Sequence, residues 1–337
     1  PEDERLKKME MAVDMFGDHP GLRAYWLADE PGVAEAEAFY QGKKVMESLD
    51  PNHPCLCTCN SVDAIEEYAP TMQITSIDQY FIGRVPDRDE GAWAIVDSVR
   101  YARELGADRI WLIAHAFEMS GWREPSRAEF TIQIFGGLAE GCTGFAPYVY
   151  AADPVWDTGR RHMKALVDPY GNPSHSWQAM KDLGPYLRGA CPLLVTAERL
   201  PDDAITATPR HTDFVVSNTG RKRPGVKAAL FDDSDRDVRY AVVYNNTRFY
   251  LANATVKLAG SAPGEKALDM FALREVPMQG GSFEVAFQEG NGRIYAIGAA
   301  DALEEVRREV FENRIEAEKG LLEVEIQVAE RMGTKVA

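Results

Sequence analysis

Up to about residue 147 the chain alternates between two patterns of apolar positions. Short, almost wholly apolar runs at 22–28, 54–59, 72–77, 109–114 and 142–147 predict strands buried on both faces. Stretches with apolar residues at helical spacing, at 3–16, 33–48, 61–69, 89–105, 126–139 and 174–187, predict helices before, between and after them. Start and stop signals agree with this reading. Ser61 precedes "VDAIEEY", Asp87 to Glu90 precede "GAWAIVDSVRYAREL", Ser126 and Glu129 form a capping box, and Gly106 follows a helix end. Strands alternating with helices predict a parallel sheet of βαβ units.

From about residue 191 the period shortens. "DFVVSN", "VKAALFD", "VRYAVVYNN", "YLANATVKLAG", "KALDMFA", "SFEVAFQ" and "RIYAIG" are separated by Gly, Asp, Asn or Pro turns, which predicts an antiparallel β-sandwich. Residues 301–319 are again helical in pattern, with Leu303, Val306 and Val310 on one face. "LLEVEIQVAER" then alternates like a strand, the start of a further element or a segment folding back on the sandwich. The expected domains are therefore 1–190, 191–300 and 301–337. "DDSDRDV" places acids at Asp233, Asp235 and Asp237 but lacks the glycine and distal glutamate of a calcium loop, so it reads as a hairpin turn.

Composition narrows the partners. The 337 residues are 45% hydrophobic and 27% charged, a globular balance, with a net charge of −16. That field repels phosphates, so nucleic acid and anionic membrane surfaces are not expected partners. No apolar run is long enough to span a membrane. Of five cysteines, Cys55, Cys57 and Cys59 recur every second residue on one predicted strand. Such neighbours are about 7 Å apart on one face and lack the loop spacing of a zinc site, so they read as buried packing. The chain opens on a charged amphipathic helix and not on Met, so localisation is open among secreted, periplasmic and cytoplasmic.

In parallel α/β architectures functional groups gather at the C-terminal ends of strands. Here those ends carry Asp29 and Glu30; Asn60; Asp78 and Tyr80; His115, Glu118 and Trp122; and Tyr148, Tyr150 and Trp156. Taken alone, an acid pair after a strand is also an ordinary helix cap, and His115 is equally a core histidine. Together the groups suit saccharides: aromatic faces stack on sugar C–H faces and carboxylates bind hydroxyls. Two carboxylates about 5–5.5 Å apart support retaining hydrolysis, and about 6.5–9.5 Å apart inverting hydrolysis.

Three segments carry a resemblance. "FGDHPGLRAYWLADEP" resembles the fourth-strand region of (β/α)₈ glycoside hydrolases, the superfamily of β-galactosidase-like and cellulase-like enzymes. "REPSRAEFTIQIFGGLAEGCTGFAPYVY" is similar to its seventh-helix and eighth-strand region, and "LVDPYGNPSHSWQAMKDL" to the closing hairpin and last helix. The resemblance covers roughly residues 10–190 and implies a partial barrel, strands four to eight, followed by a β-sandwich. Five strands cannot close a barrel of eight, so the missing ones are expected from the rest of the polypeptide or another chain; an open doubly wound sheet is the alternative.

The resemblance implies a glycosidase using no cofactor and no metal, with Glu30 as general acid/base. Glu118 is the first candidate for the second carboxylate and Asp78 the other. Asp29, Asn60, Tyr80, His115, Trp122, Tyr148 and Tyr150 would bind a carbohydrate substrate. Two departures matter: Asp29 stands where Asn is usual, and His115 stands near the place of the nucleophilic glutamate. The competing reading is a catalytically silent barrel that binds carbohydrate or organises an assembly.

Overall fold

The computed structural model describes residues 2–83, 91–119, 121–151, 163–168, 171–210, 214–215 and 222–331. Trp156, and Asp87 to Glu90 ahead of the fourth helix, lie outside the described residues. The chain divides into two compact units, residues 1–124 with 140–165, and residues 125–139 with 166–337.

The first unit holds α1 (Glu2–Phe16), β1 (Tyr25–Asp29), α2 (Ala36–Leu49), β2 (Cys55–Cys59), α3 (Val62–Tyr68), β3 (Ile74–Ile77), α4 (Gly91–Glu104) and β4 (Ile110–His115). The second unit takes α5 (Arg127–Ala139), and β5 (Cys142–Tyr148) returns to the first. The five strands form one parallel sheet in the order β1-β2-β3-β4-β5. Parallel pairing follows from the helical crossovers, and all C-terminal ends lie along one edge.

One face of this sheet is covered by the helices. Tyr25, Cys57, Ile77 and Leu112 pack with Phe39, Met46, Ile65, Tyr68, Ile95 and Val99 in one apolar core. The three strand cysteines are fully buried there, with Cys57 Sγ and Cys59 Sγ 3.9 Å apart and no disulfide formed. Burial pushes the Cys55 thiol up to about 11, so it stays protonated. Ser61 caps α3 as its position predicts, its hydroxyl accepting from the Ala64 amide at 3.2 Å.

In the second unit, α6 (His175–Leu194) leads into β6 (Glu198–Arg199), β7 (Ile205–Pro209), β8 (Phe214–Val215), β9 (Lys222–Arg223), β10 (Val226–Asp233), β11 (Val238–Asn245) and β12 (Ala252–Leu258). There follow β13 (Lys266–Asp269), β14 (Arg274–Val276), β15 (Met278–Gln279), β16 (Ser282–Phe287), β17 (Gly292–Gly298) and α7 (Ala300–Arg331). A six-stranded sheet, β14-β13-β17-β11-β10-β6, and a four-stranded sheet, β15-β16-β12-β7, share one apolar core. Leu230, Ala241, Val243 and Ile297 from one sheet meet Val256, Phe283, Val285 and Phe287 from the other. Pairing is antiparallel throughout, as tight turns dictate. Among the described residues no helix is long and apolar enough to cross a membrane.

Two expectations are corrected. "LLEVEIQVAER" is not a strand: α7 runs unbroken to Arg331. Its Leu, Glu, Gln and Ala are good helix formers, and alternation counts for little without a neighbouring strand to pair with. The helix predicted over 174–187 continues to Leu194 through Pro185 and Pro192. Burial of Ala190, Leu193 and Leu194 offsets the backbone hydrogen bonds that the prolines remove.

The unit is tied by a buried ion pair. Glu129 accepts from the Arg248 guanidinium, and the same carboxylate closes the predicted capping box by accepting from the Ser126 amide at 2.9 Å. Near them, Gly290 has φ +64° and lies so close to α5 that a Cβ would sit 2.3 Å from the Ala128 carbonyl oxygen. Gly264 has φ +90° but nothing within 4 Å. Gly290→Ala should therefore cost at least about 2 kcal/mol in denaturant unfolding, and Gly264→Ala only the backbone strain of about 1–2 kcal/mol. Equal midpoints for the two variants would show that the close approach of Gly290 to α5 is not a constraint.

Candidate functional site

Three carboxylates converge at the C-terminal edge of the parallel sheet. The register sets them in line: Asp29 is opposite Thr58, and Thr58 is opposite Ser76. Glu30 follows Asp29 directly, and its amide donates to the Thr58 carbonyl at 3.0 Å, continuing the ladder one residue past β1. Its φ of +49° lies in the left-handed region, which non-glycine residues occupy at a cost and which recurs at functional sites. Asp78 follows β3 and is buried at 5% exposure.

The Glu30 carboxylate lies beside Asp78 and acts on its carboxyl. Burial first, then the hydrogen bond and negative charge of Glu30, with Asp29 adding to them, push the Asp78 carboxyl from 3.8 up to about 8. Asp78 Oδ1 is buried and accepts from no described group. Asp29 and Glu30 themselves are exposed. The Asp29 carboxyl is also raised, by partial burial and then by the charge of Glu30.

Beside the carboxylates lies an aromatic cluster. The Tyr80 ring stacks on Tyr148, with centroids 5.9 Å apart and planes at 24°, and meets Phe117 edge-on at 5.0 Å. Burial and the Asp78 charge raise the Tyr80 phenol. Trp122 donates its indole N–H to the Tyr80 carbonyl at 3.0 Å, which anchors the loop after β4 against the loop after β3. Phe117 is buried at the centre of the cluster, a role not anticipated from the sequence. The available signal was strand alternation, which continues from the apolar β4 into "AF".

The other expected positions fall differently. His115 is fully buried; its Nε2 lies 2.9 Å from the Phe117 carbonyl and its ring packs on Phe117, so it shapes the loop and presents no surface to a ligand. Glu118 does not reach the carboxylate pair. It forms an antiparallel bridge with Lys164, and its Oε2 lies 2.7 Å from Lys164 Nζ in a largely exposed ion pair. An exposed acid three residues beyond a strand gains more from a lysine and water than from folding back beside two other acids. Asn60 is exposed at the end of β2, and Tyr150 is 60% exposed after β5. Thr58 was also missed. With the neighbouring cysteines facing the helices, its side chain must face the other side of the sheet, the side on which Asp29 is its partner.

The arrangement can hold a proton near neutral pH beside exposed negative charge and aromatic rings. Among the described residues no cluster of His, Cys, Asp and Glu has the geometry to hold a metal ion.

No protein-family profile matches the chain, and no curated protein does. Solved structures do. A glycoside hydrolase family 5 protein from Bacteroides vulgatus superposes with a TM-score of 0.53 at 12% identity, over 89% of this chain and 67% of its own. The α-amylase of Geobacillus thermoleovorans, solved with acarbose, gives 0.56 at 11% identity, over 88% and 63%. A family 27 β-L-arabinopyranosidase from Geobacillus stearothermophilus gives 0.50 at 10% identity, over 88% and 61%. The chain thus spans roughly two thirds of the length of these structures. At such identities the likeness is one of fold: a five-stranded parallel α/β sheet with antiparallel sheets after it, like that of glycoside hydrolases.

Proposed function

We propose that this chain is part of a glycosidase acting on an oligo- or polysaccharide, with the Glu30–Asp78 pair as its proton donor. The observation that carries the reading is the buried Asp78 carboxyl at the sheet edge beside Glu30, raised to about 8 by burial and then by that neighbour. Such a group is still protonated at neutral pH, which general-acid cleavage of a glycosidic bond needs. The resemblance at "LADEP" and the glycosidase-like fold point the same way.

In this reading the pair gives its proton to the leaving oxygen as the C1–O bond breaks. The two remaining carboxylates and Asp29 stabilise the positive charge developing on the sugar ring. Water then adds to C1 and returns a proton to the pair. Tyr80, Tyr148 and Trp122 form the wall against which a sugar ring stacks. In this reading Glu30 and Asp78 act together as one acid and not as acid and opposed nucleophile. A second reading, saccharide binding without hydrolysis, is favoured by one observation: Lys164 engages Glu118, the acid nearest the usual place of the nucleophile.

Hydrolysis of aryl glycosides and oligosaccharides separates the two readings. Glu30→Gln and Asp78→Asn should each keep the fold and lower the rate about 10²–10⁴-fold on substrates with poor leaving groups. Full turnover in both variants would remove the pair from the mechanism, and absence of turnover in the parent chain would favour the binding reading.

The pH dependence follows from the sign of the shift. Activity should fall as pH rises through about 8, where the pair loses its proton, and Asp78→Asn should abolish that limb. Because the folded-state value is raised, the Asp78 contribution to stability is complete below the ordinary value of 3.8 and is lost between there and about 8. Unfolding free energy should decline across that window by up to about 1.4 kcal/mol per pH unit, and less steeply in Asp78→Asn. A parallel pH dependence in the two proteins would contradict the assignment.

Glu118→Gln is the contrasting case. Its exposed ion pair contributes about 0–1 kcal/mol, so neither stability nor turnover should change by more than that allows. A loss of turnover comparable to that of Glu30→Gln would restore Glu118 to the chemistry.

A further inference from the structure

We infer that the antiparallel region carries its own binding groove for a neutral oligosaccharide, independent of the Glu30–Asp78 pair. Where the end of β16 and the start of β12 meet the start of β17, a groove of about 410 Å³ is lined by Leu251, Asn253, Gln288, Asn291 and Arg293 among others. Its floor dips because Asn253 on β12 faces Ala286 on β16, a side chain too small to fill the space. The volume lies within the range of about 300–1,000 Å³ of ligand sites.

The chemistry of the lining selects the ligand. The side-chain amides of Asn253, Gln288 and Asn291 make no hydrogen bond to any described group, although the Asn291 backbone is fully engaged. Each amide offers both a donor and an acceptor, which matches sugar hydroxyls that both donate and accept. An apolar peptide would leave all three unpaired at a cost of about 1–3 kcal/mol each. Arg293 does not turn the groove into an anion site. Its Nε lies 3.8 Å from Asp269 and its guanidinium lies over the Phe271 ring at 5.4 Å, so its charge is already matched.

Aromatic surface stands beside the groove. Phe249 and Tyr250 are 52% and 64% exposed, unusual for large aromatic side chains, and Leu251 continues the loop into the groove wall. The loop is held in place. The Asn245 amide donates to the Tyr250 carbonyl at 2.6 Å and to the Gln288 carbonyl at 3.0 Å, and the Thr247 hydroxyl donates to the Tyr250 carbonyl at 3.0 Å. Arg248 lies over the Phe249 ring at 4.5 Å while its guanidinium is fixed by Glu129. One asparagine thus couples the aromatic loop to the amide-lined groove. Rigid rings beside unpaired amides are what a saccharide chain needs: ring faces for its C–H surfaces and amides for its hydroxyls.

This goes beyond the acid pair and needs no hydrolysis. The test is affinity electrophoresis of the full chain in gels containing xylan, mixed-linkage β-glucan or amylose, with titration of the corresponding hexasaccharides. At least one polysaccharide should retard the parent chain. Tyr250→Ala and the double variant Asn253→Ala/Gln288→Ala should weaken that binding at least tenfold while keeping the parent's melting temperature, and Glu30→Gln should bind as the parent does. Retardation by none of the three, binding unchanged in both groove variants, or binding lost in Glu30→Gln would each overturn the proposal. Binding that persists in a chain without turnover would count against the hydrolase reading alone.

Discussion

The gathering of Asp29, Glu30 and Asp78 at one edge of the parallel sheet is the constraint on which that edge is organised. Glu30 and Asp78 come from strands separated by β2, so their backbones are about two strand spacings, roughly 10 Å, apart. The left-handed backbone at Glu30 and its amide bond to Thr58 fix where its side chain leaves the end of β1. Two ionised carboxylates would not remain together in a partly buried site. The Asp78 carboxyl, pushed up to about 8, relieves the repulsion by keeping its proton at neutral pH. Burial first, and then the neighbouring negative charge, also raises Asp29 and Tyr80.

The aromatic cluster follows from the neighbouring strands. His115 and Tyr148 are register partners on β4 and β5, and the Ala116 amide bonds to the Tyr148 carbonyl, so the chain leaves both strands close together. Phe117 fills the space between Tyr80, Tyr148 and Trp122. A ring cluster beside a protonated carboxyl pair combines an apolar wall with a proton source. His115 supports this wall from within the core, while Glu118, one residue beyond Phe117, turns outward to Lys164.

The second unit distributes its polar groups differently. Glu129, Arg248 and the α5 cap satisfy one another in the interior, where removal of either charged partner would leave the other buried and unpaired. Asn245 sits fully buried and spends its amide on two carbonyls from different loops. Asn253, Gln288 and Asn291 lie a few residues away in chain or across the sheet, yet their amides face the groove without such partners. The contrast separates polar groups that hold the fold from those left available to a ligand.

What the sequence determined by itself is local. Apolar runs of six or seven residues between helical patterns specified the parallel sheet, because strands covered on both faces must be apolar throughout. Ser61 and the Ser126–Glu129 box marked helix starts, because capping is satisfied within four residues. Asp29, Glu30 and Asp78 were legible as strand-end acids for the same reason. Tertiary structure alone decided which acid met which. The sequence placed Glu118 ahead of Asp78 as the second carboxylate, whereas the register of β1, β2 and β3 sets Asp78 at the edge beside Glu30 and a bridge to Lys164 engages Glu118. The alternation in "LLEVEIQVAER" likewise had no meaning without a partner strand, and helix propensity prevailed. Periodicity is a property of neighbouring residues, whereas carboxyl contact, burial and the proton they retain depend on groups far apart in the chain.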